Sequence, residues 1–265
     1  MKRIHLIEFE DMPWFPAWLR GYMTNLLVVF MRAIKMDLMV AHEVSKALEA
    51  ASTDHIVDLG SGSGGVMPGV LEHVRAAGRE ATLVMTDLYP NKEVIARYNA
   101  DVSDHVTYHE DPVDATKLAE APEGLKTMVN IFHHMTPQQA KTILTSAHSA
   151  RQPLLIVEAA DGKIPTLAWW LFLPLGLFLV GLSSLFFTPL VRPLSAGQLV
   201  FTYVIPLVPL FYAWDGQVSA ARIYGEGDLE ELLEGLRTDD YHWEIRPGED
   251  RSGKKSGLCL IGRPV

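Results

Sequence analysis

Hydrophobic and polar positions follow three different rhythms along this chain. Between about residues 13 and 50, Trp14, Phe15, Trp18, Leu19, Tyr22, Met23, Leu26, Leu27, Phe30 and Met31 recur every three or four residues. That spacing lines one face of a helix, and Pro13 and Pro16 mark its start. Arg20, Arg32 and Lys35 lie among the apolar positions. The segment therefore reads as helical, either packed on a core or lying in a membrane interface with Trp and aliphatic groups below and basic groups above.

From residue 55 the rhythm changes to short apolar runs separated by helical stretches. Strands are expected at 55–59, 82–86, 106–109, 125–132 and 153–158, and helices at 66–77, 92–98 and 137–150. Such alternation builds a mostly parallel sheet with helices on both faces.

The third rhythm is unbroken hydrophobicity. Residues 164–191 contain no charged residue or histidine, nor do 193–214, and Arg192 stands alone between them. About 20 apolar residues cross a bilayer core as a helix, so both stretches are long enough. Gly176, Gly181, Ser183 and Ser184 allow two helices to approach closely. Trp169, Trp170, Tyr203, Tyr212 and Trp214 suit interfacial belts. The expectation is a transmembrane or re-entrant helical hairpin, two helices with Arg192 in the turn; Pro174, Pro189, Pro206 and Pro209 favour kinks. Charge returns at Asp215, followed by a helix at 228–237 and strands at 242–246 and 257–262 joined by a polar loop at 247–255. The expected domains are N-terminal helices (1–51), a core (52–162), the hairpin (163–215) and a C-terminal part completing the core (216–265).

A net charge of −9 argues against nucleic-acid binding, which needs clustered Lys and Arg. It gives no help with anionic lipid either, so membrane attachment would be hydrophobic. The single cysteine, Cys259, excludes an intramolecular disulfide and a Cys-based zinc framework. His5, His42, His73 and His105 show no ligand spacing, so no metal is expected. Met1-Lys2-Arg3 is followed by His5, Glu8, Glu10 and Asp11 rather than by an apolar run, which is unlike a secretory signal.

The run Asp58-Leu59-Gly60-Ser61-Gly62-Ser63-Gly64-Gly65 lies between an expected strand and helix. Through Gly60, Gly62 and Gly65 it also fits G-x-G-x-x-G, the dinucleotide fingerprint. Asp58, two residues before the first glycine, separates the readings: pyrophosphate favours a bare helix N-terminus, whereas a cationic ligand suits a carboxylate. Asp58-x-Gly60-x-Gly62-x-Gly64 resembles the glycine-rich motif of class I S-adenosylmethionine-dependent methyltransferases, over roughly residues 52–160 and 220–265.

The resemblance implies a Rossmann-like α/β fold with a seven-stranded sheet ending in an antiparallel strand pair. It implies S-adenosyl-L-methionine as cofactor: Asp58 at its amino-acid part, Gly60, Gly62 and Gly64 making room, and Asp87 with Leu88 at the ribose. Asp114 and Ala115 would read the adenine, and Asn130 would line the methyl-transfer side. His133 and His134 follow as general-base candidates or pocket lining, because imidazole titrates near neutrality. Glu158 ends the fifth strand at the sheet edge where ligands bind, placed to orient a substrate or bond to neighbouring loops. Asp161, Asp215 and Arg222 flank the apolar insertion, as pocket-mouth or surface groups.

The expected function is a membrane-associated methyltransferase acting on a lipophilic small molecule or lipid presented from the bilayer. It would sit at the cell membrane with the catalytic domain on the cytoplasmic side, where the cofactor is. Two alternatives stand beside it: a non-catalytic membrane-anchored module that binds the cofactor, and an NAD-dependent membrane reductase.

Overall fold

Seven strands form one sheet in the order β3-β2-β1-β4-β5-β7-β6 in a computed structural model that describes residues 3–100 and 105–265. The strands are β1 (His55–Leu59), β2 (Thr82–Thr86), β3 (Val106–Tyr108), β4 (Leu125–Val129), β5 (Leu154–Glu158), β6 (Tyr241–Glu249) and β7 (Lys255–Pro264). The first five run parallel, and β7 enters antiparallel between β5 and β6. Helices α3 (Met67–Ala76), α4 (Lys92–Asn99) and α5 (Pro137–Ser149) fill the crossovers. This is the Rossmann-like arrangement with an antiparallel C-terminal pair that the sequence implies. The strand order reverses between β1 and β4, and in such sheets ligands bind at the carboxyl ends beside that reversal.

Two compact units make up the chain, one of residues 35–161 and 225–265, the other of residues 1–34 and 162–224. The first holds the sheet, together with α2 (Met36–Ala50) and α9 (Glu226–Leu232). Val40, Val44 and Leu48 of α2 are fully buried. Glu43 on the same helix receives Arg246 Nη1 at 2.7 Å and the Glu249 amide at 2.8 Å, which fastens α2 to β6.

The second unit holds α1 (Ala17–Ala33), α6 (Thr166–Phe187), the short α7 (Ala196–Leu199), which continues as one wide turn to Val204, and α8 (Leu207–Arg222). Phe15, Leu19, Met23 and Leu26 pack there against Val191, Val208 and Tyr212. The 3-10 turn Phe9–Asp11 is pinned to α8 because both oxygens of Asp215 accept backbone N–H groups, from Phe9 at 2.9 Å and Glu10 at 3.0 Å.

The helical stretch at 13–50 is two helices, because Lys35 adopts a left-handed conformation (φ 59°) between them. Four local expectations need correction. The fourth strand stops at Val129 rather than 132, because Asn130 turns the chain at φ 53°. The second arm of the hairpin is not one helix over 193–214: Pro206 offers no N–H and pushes Ile205 out of the helical region, and the pieces on either side meet at 81°. The last strands extend well into the expected loop at 247–255, with a register shift between Arg246 and Gly248 that lets Pro247 sit on edge strand β6. The C-terminal helix is also shorter and earlier than 228–237.

Leu155 is fully buried in β5, between β4 and β7. Leu155→Ala should cost about 2–5 kcal/mol through lost burial and a residual cavity, read as a lowered urea midpoint with an unchanged slope.

Candidate functional site

Each of the expected site residues lies at or just beyond the carboxyl edge of the parallel strands. The turn after β1 is built from beneath. Asp58 is almost completely buried, and its carboxylate accepts Ser61 Oγ at 2.6 Å and Thr127 Oγ1 of β4 at 2.8 Å. Its carbonyl accepts Thr86 Oγ1 of β2 at 2.9 Å. Burial pushes the Asp58 carboxyl up to about 6, helped by the charge of Asp87, while the two hydroxyls pull the other way.

The glycines answer two different demands. Gly60 has φ +73°, and a Cβ there would lie 2.5 Å from Ile131 Cδ1, so this turn must pass tightly over the segment after β4. Gly62 has φ +52° but faces open space, with nothing within 4 Å of a Cβ position. Gly64, the third glycine of the motif, closes against the Tyr98 ring.

Asp87, just past β2, accepts the Gly62 amide on Oδ2 at 2.9 Å and the Tyr89 amide on Oδ1 at 2.8 Å. Each oxygen retains a second lone pair. Leu88 beside it is exposed. The Val113 amide bonds the Asp87 carbonyl at 2.9 Å, which ties the loop bearing Asp114 and Ala115 to the end of β2. Asp114 receives both the amide and the hydroxyl of Thr116 on Oδ1, at 2.9 and 2.7 Å. The Thr116 hydroxyl holds its carboxyl below the usual value.

Asn130 spends its side-chain oxygen on the Ala159 amide at 2.8 Å, joining the ends of β4 and β5. Beyond it one carboxylate grips one residue twice: Glu158 Oε1 accepts the His133 backbone N–H at 3.0 Å, and Oε2 lies 2.8 Å from His133 Nδ1. Both side chains are buried. The imidazole is thereby anchored to Glu158 through Nδ1. The His134 ring stacks on His133, centroids 4.3 Å apart. Thr136 and Gln139 form a reciprocal cap at the start of α5 that fixes where the histidine loop ends.

The structure thus bonds Asp87 to the Gly62 amide, Asp58 to Ser61 and Thr127 beneath the same turn, and Glu158 to His133 beyond β4. Sequence reasoning missed Ser61 and Thr127, although a threonine amid the buried β4 run is a visible signal. It also missed Arg97, whose Nη2 holds the Ser63 carbonyl at 2.6 Å, and Tyr108, whose hydroxyl holds the Gly62 carbonyl at 2.9 Å. No spacing rule connects those two to the turn. Asp215 and Arg222, expected to flank the insertion, belong to the helical unit.

No family model and no curated protein matches the chain. Among solved structures it is similar to mitomycin 7-O-methyltransferase MmcR (16% identity, TM-score 0.47, 97% of this chain and 70% of that one). It is similar as well to an O-methyltransferase of neocarzinostatin biosynthesis in complex with S-adenosyl-L-homocysteine and 1,4-dihydroxy-2-naphthoic acid (14%, 0.46, 88% and 58%). A third is LaPhzM (16%, 0.46, 84% and 55%). The chain spans little more than half the length of the last two.

Because the Asp58 carboxyl is raised, the folded state holds a proton between its ordinary value of 3.8 and about 6 that the unfolded chain has lost. Stability contributed by this group therefore falls as pH rises through that window and is level above it. Relative to Asp58→Asn, the wild type should lose about 2 kcal/mol between pH 4 and pH 6. Denaturant titrations giving a pH-independent difference would refute this.

Proposed function

We propose that the chain is a membrane-associated, S-adenosylmethionine-dependent methyltransferase that acts on a lipophilic small molecule or lipid. The observation that carries the reading is the open, glycine-floored volume over Gly62, with Asp58 beneath its turn and Asp87 at its side. Two neighbouring carboxylates at the sheet's reversal point, one of them with its titration raised by burial and to a smaller degree by the other's charge, suit a ligand that carries positive charge. They do not suit a pyrophosphate.

The residues fit the cofactor that the glycine motif implies. Asp87 would take the ribose hydroxyls on its remaining lone pairs, with Leu88 alongside. Asp114 and Ala115 would meet the adenine, the turn at Gly60, Gly62 and Gly64 would pass under the amino-acid part, and Asn130 would border the transfer side. When bound, the cofactor supplies an electrophilic methyl group on a sulfonium. What the chain itself contributes is positioning, which alone accelerates such in-line transfers strongly, together with proton handling.

For a hydroxyl acceptor, His133 Nε2 would take the hydroxyl proton, and the bound cofactor would supply the methyl group and leave as the neutral thioether. Glu158 holds Nδ1–H throughout and stabilises the imidazolium that results. His134, stacked on His133, keeps that ring from turning. Support for a lipophilic acceptor comes from the uncharged stretch at 164–191, which equips the enzyme to meet its substrate in a bilayer. Cofactor supply places the sheet unit on the cytoplasmic side of the cell membrane.

The deciding experiment incubates detergent-purified protein with methyl-labelled cofactor and host lipid extract, followed by identification of the labelled species. Binding without label transfer would indicate a cofactor-holding module instead, and preference for NADH would indicate a reductase.

Two sets of variants test the site. Asp87→Ala and Gly62→Val should each abolish calorimetric cofactor binding while the circular dichroism stays that of the wild type. Normal affinity in both would remove the assignment. His133→Ala should lower kcat by about 10²–10⁴-fold with cofactor affinity within a few-fold of the wild type, and unchanged kcat across neutral pH would make the histidine scaffold only.

A further inference from the structure

In the helical unit several charged groups are buried, while one helix turns a long apolar face outward. On α6, Trp169, Leu173, Ser184 and then Thr188 face inward and are buried, whereas Leu167, Leu171, Leu175, Phe178, Leu182 and Phe186 form the outer stripe. Leu167 is 81% exposed and Phe186 70%. Fully burying a large apolar side chain is worth about 1.5–3 kcal/mol, so this stripe forgoes on the order of 10 kcal/mol in water. Lipid is the occupant that fits. The stripe carries no charge or hydrogen-bonding group, and exposed Lys163 and Arg192 bracket its two ends, suited to reach lipid phosphates.

The way the stripe meets lipid follows from what lies behind it. Helix α6 has 22 residues and is about 33 Å long, enough to cross a hydrocarbon core. Its midpoint, however, is paired with the polar part of α8. A Cβ on Gly176 would strike Gln217, one on Gly216 would lie 3.6 Å from Val180, and Trp169 Nε1 donates to the Gln217 carbonyl at 3.2 Å. Asp215 therefore lies level with the middle of α6. Beyond it on α8, buried Arg222 pairs with Glu8 at 3.0 Å and Asp11 at 2.6 Å.

Standing α6 across the bilayer would put Asp215 at the midplane and the Arg222 cluster within the near leaflet. An ionised side chain at the centre costs about 2.5–3.5 kcal/mol each on insertion scales. The return path is also too short. Only residues 207–214 of α8 are uncharged, about 12 Å, and the piece before them turns away at 81° and adds almost nothing along the same axis.

Resting on the membrane reading above, we propose that the helical unit is a one-leaflet anchor: α6 lies along the bilayer plane with its outer stripe in the acyl region, and Arg192 stays on the side where the chain enters. The ionic cluster then sits behind α6, away from the lipid. Arg192, whose Nη1 donates to the carbonyls of Pro189 at 2.9 Å and Val191 at 2.7 Å, reaches phosphates of the same leaflet.

Three measurements on the full chain, with Cys259→Ala as background, test this. Flotation with phosphatidylcholine–phosphatidylglycerol vesicles comes first: protein left in the aqueous fraction, or a detergent-free soluble dimer, would overturn the membrane reading itself. For protein that floats, Arg192→Cys in intact cells should resist an impermeant thiol reagent from outside and react after permeabilisation. Labelling from outside, or no labelling in either state, would overturn the one-leaflet anchor and leave membrane association standing. Last, Leu167→Cys, Phe178→Cys and Leu190→Cys carrying bimane should be quenched by depth-graded spin-labelled lipids at one common depth. A profile deepest at position 178 and shallow at both ends would mean a crossing helix.

Discussion

A buried carboxylate between two hydroxyls organises the sheet's working edge. Asp58 receives Ser61 from its own turn and Thr127 from β4, and its carbonyl receives Thr86 from β2. Three adjacent strands are thereby referenced to one residue at the point where their order reverses. Burying an acid is costly unless it is hydrogen-bonded, and here the cost is only partly offset, as the raised titration shows. What the cost supports is geometry: Gly62 is held where its amide meets Asp87 and the volume above it stays clear. A second carboxylate, Glu158, does comparable work on the other side of the reversal by gripping the His133 backbone and ring together.

The helical unit solves the opposite problem. Its buried charged groups pair locally, Arg222 with Glu8 and Asp215 with the amides of Phe9 and Glu10. The hydroxyls of Ser184 and Thr188 turn back onto carbonyls one helical turn away, at 2.6 and 2.8 Å. These hydroxyls are thereby satisfied by the chain's own backbone, as an apolar surrounding requires. In the sheet unit the polar groups of the working edge instead fasten the turns that follow β1, β2 and β4. One chain therefore carries two solvent relationships, each legible in which side chains its helices and strands turn outward.

Much of this was written in local pattern. Strands 55–59 and 82–86 were readable to the residue because each apolar run ends in Gly60 or Asp87, groups that cannot continue a buried strand. The glycine turn and Asp87 could be found from spacing, since their chemistry is carried by residues close in sequence. What escaped was set by tertiary partners or by single dihedrals. Tyr108 reaches the turn across 46 residues, and nothing local marks it. Asn130 and Lys35 end their elements through left-handed backbone that most side chains avoid. The bend at Pro206 was half visible, because proline announced a kink but not its 81° size.

The place of β7 in the sheet has a consequence for how the protein is made. During synthesis β5 emerges with one edge satisfied by β4, and its other edge must wait for residues 255–264, almost one hundred positions later. The whole uncharged stretch leaves the ribosome in that interval. An open strand edge next to a long greasy segment is a template for wrong pairing, and non-local closure of this kind is slow. Early capture of α6 by a lipid surface would remove one of the two hazards before the other can be closed. On this view the membrane acts first as a folding aid, sheltering the nascent chain until its last strand arrives.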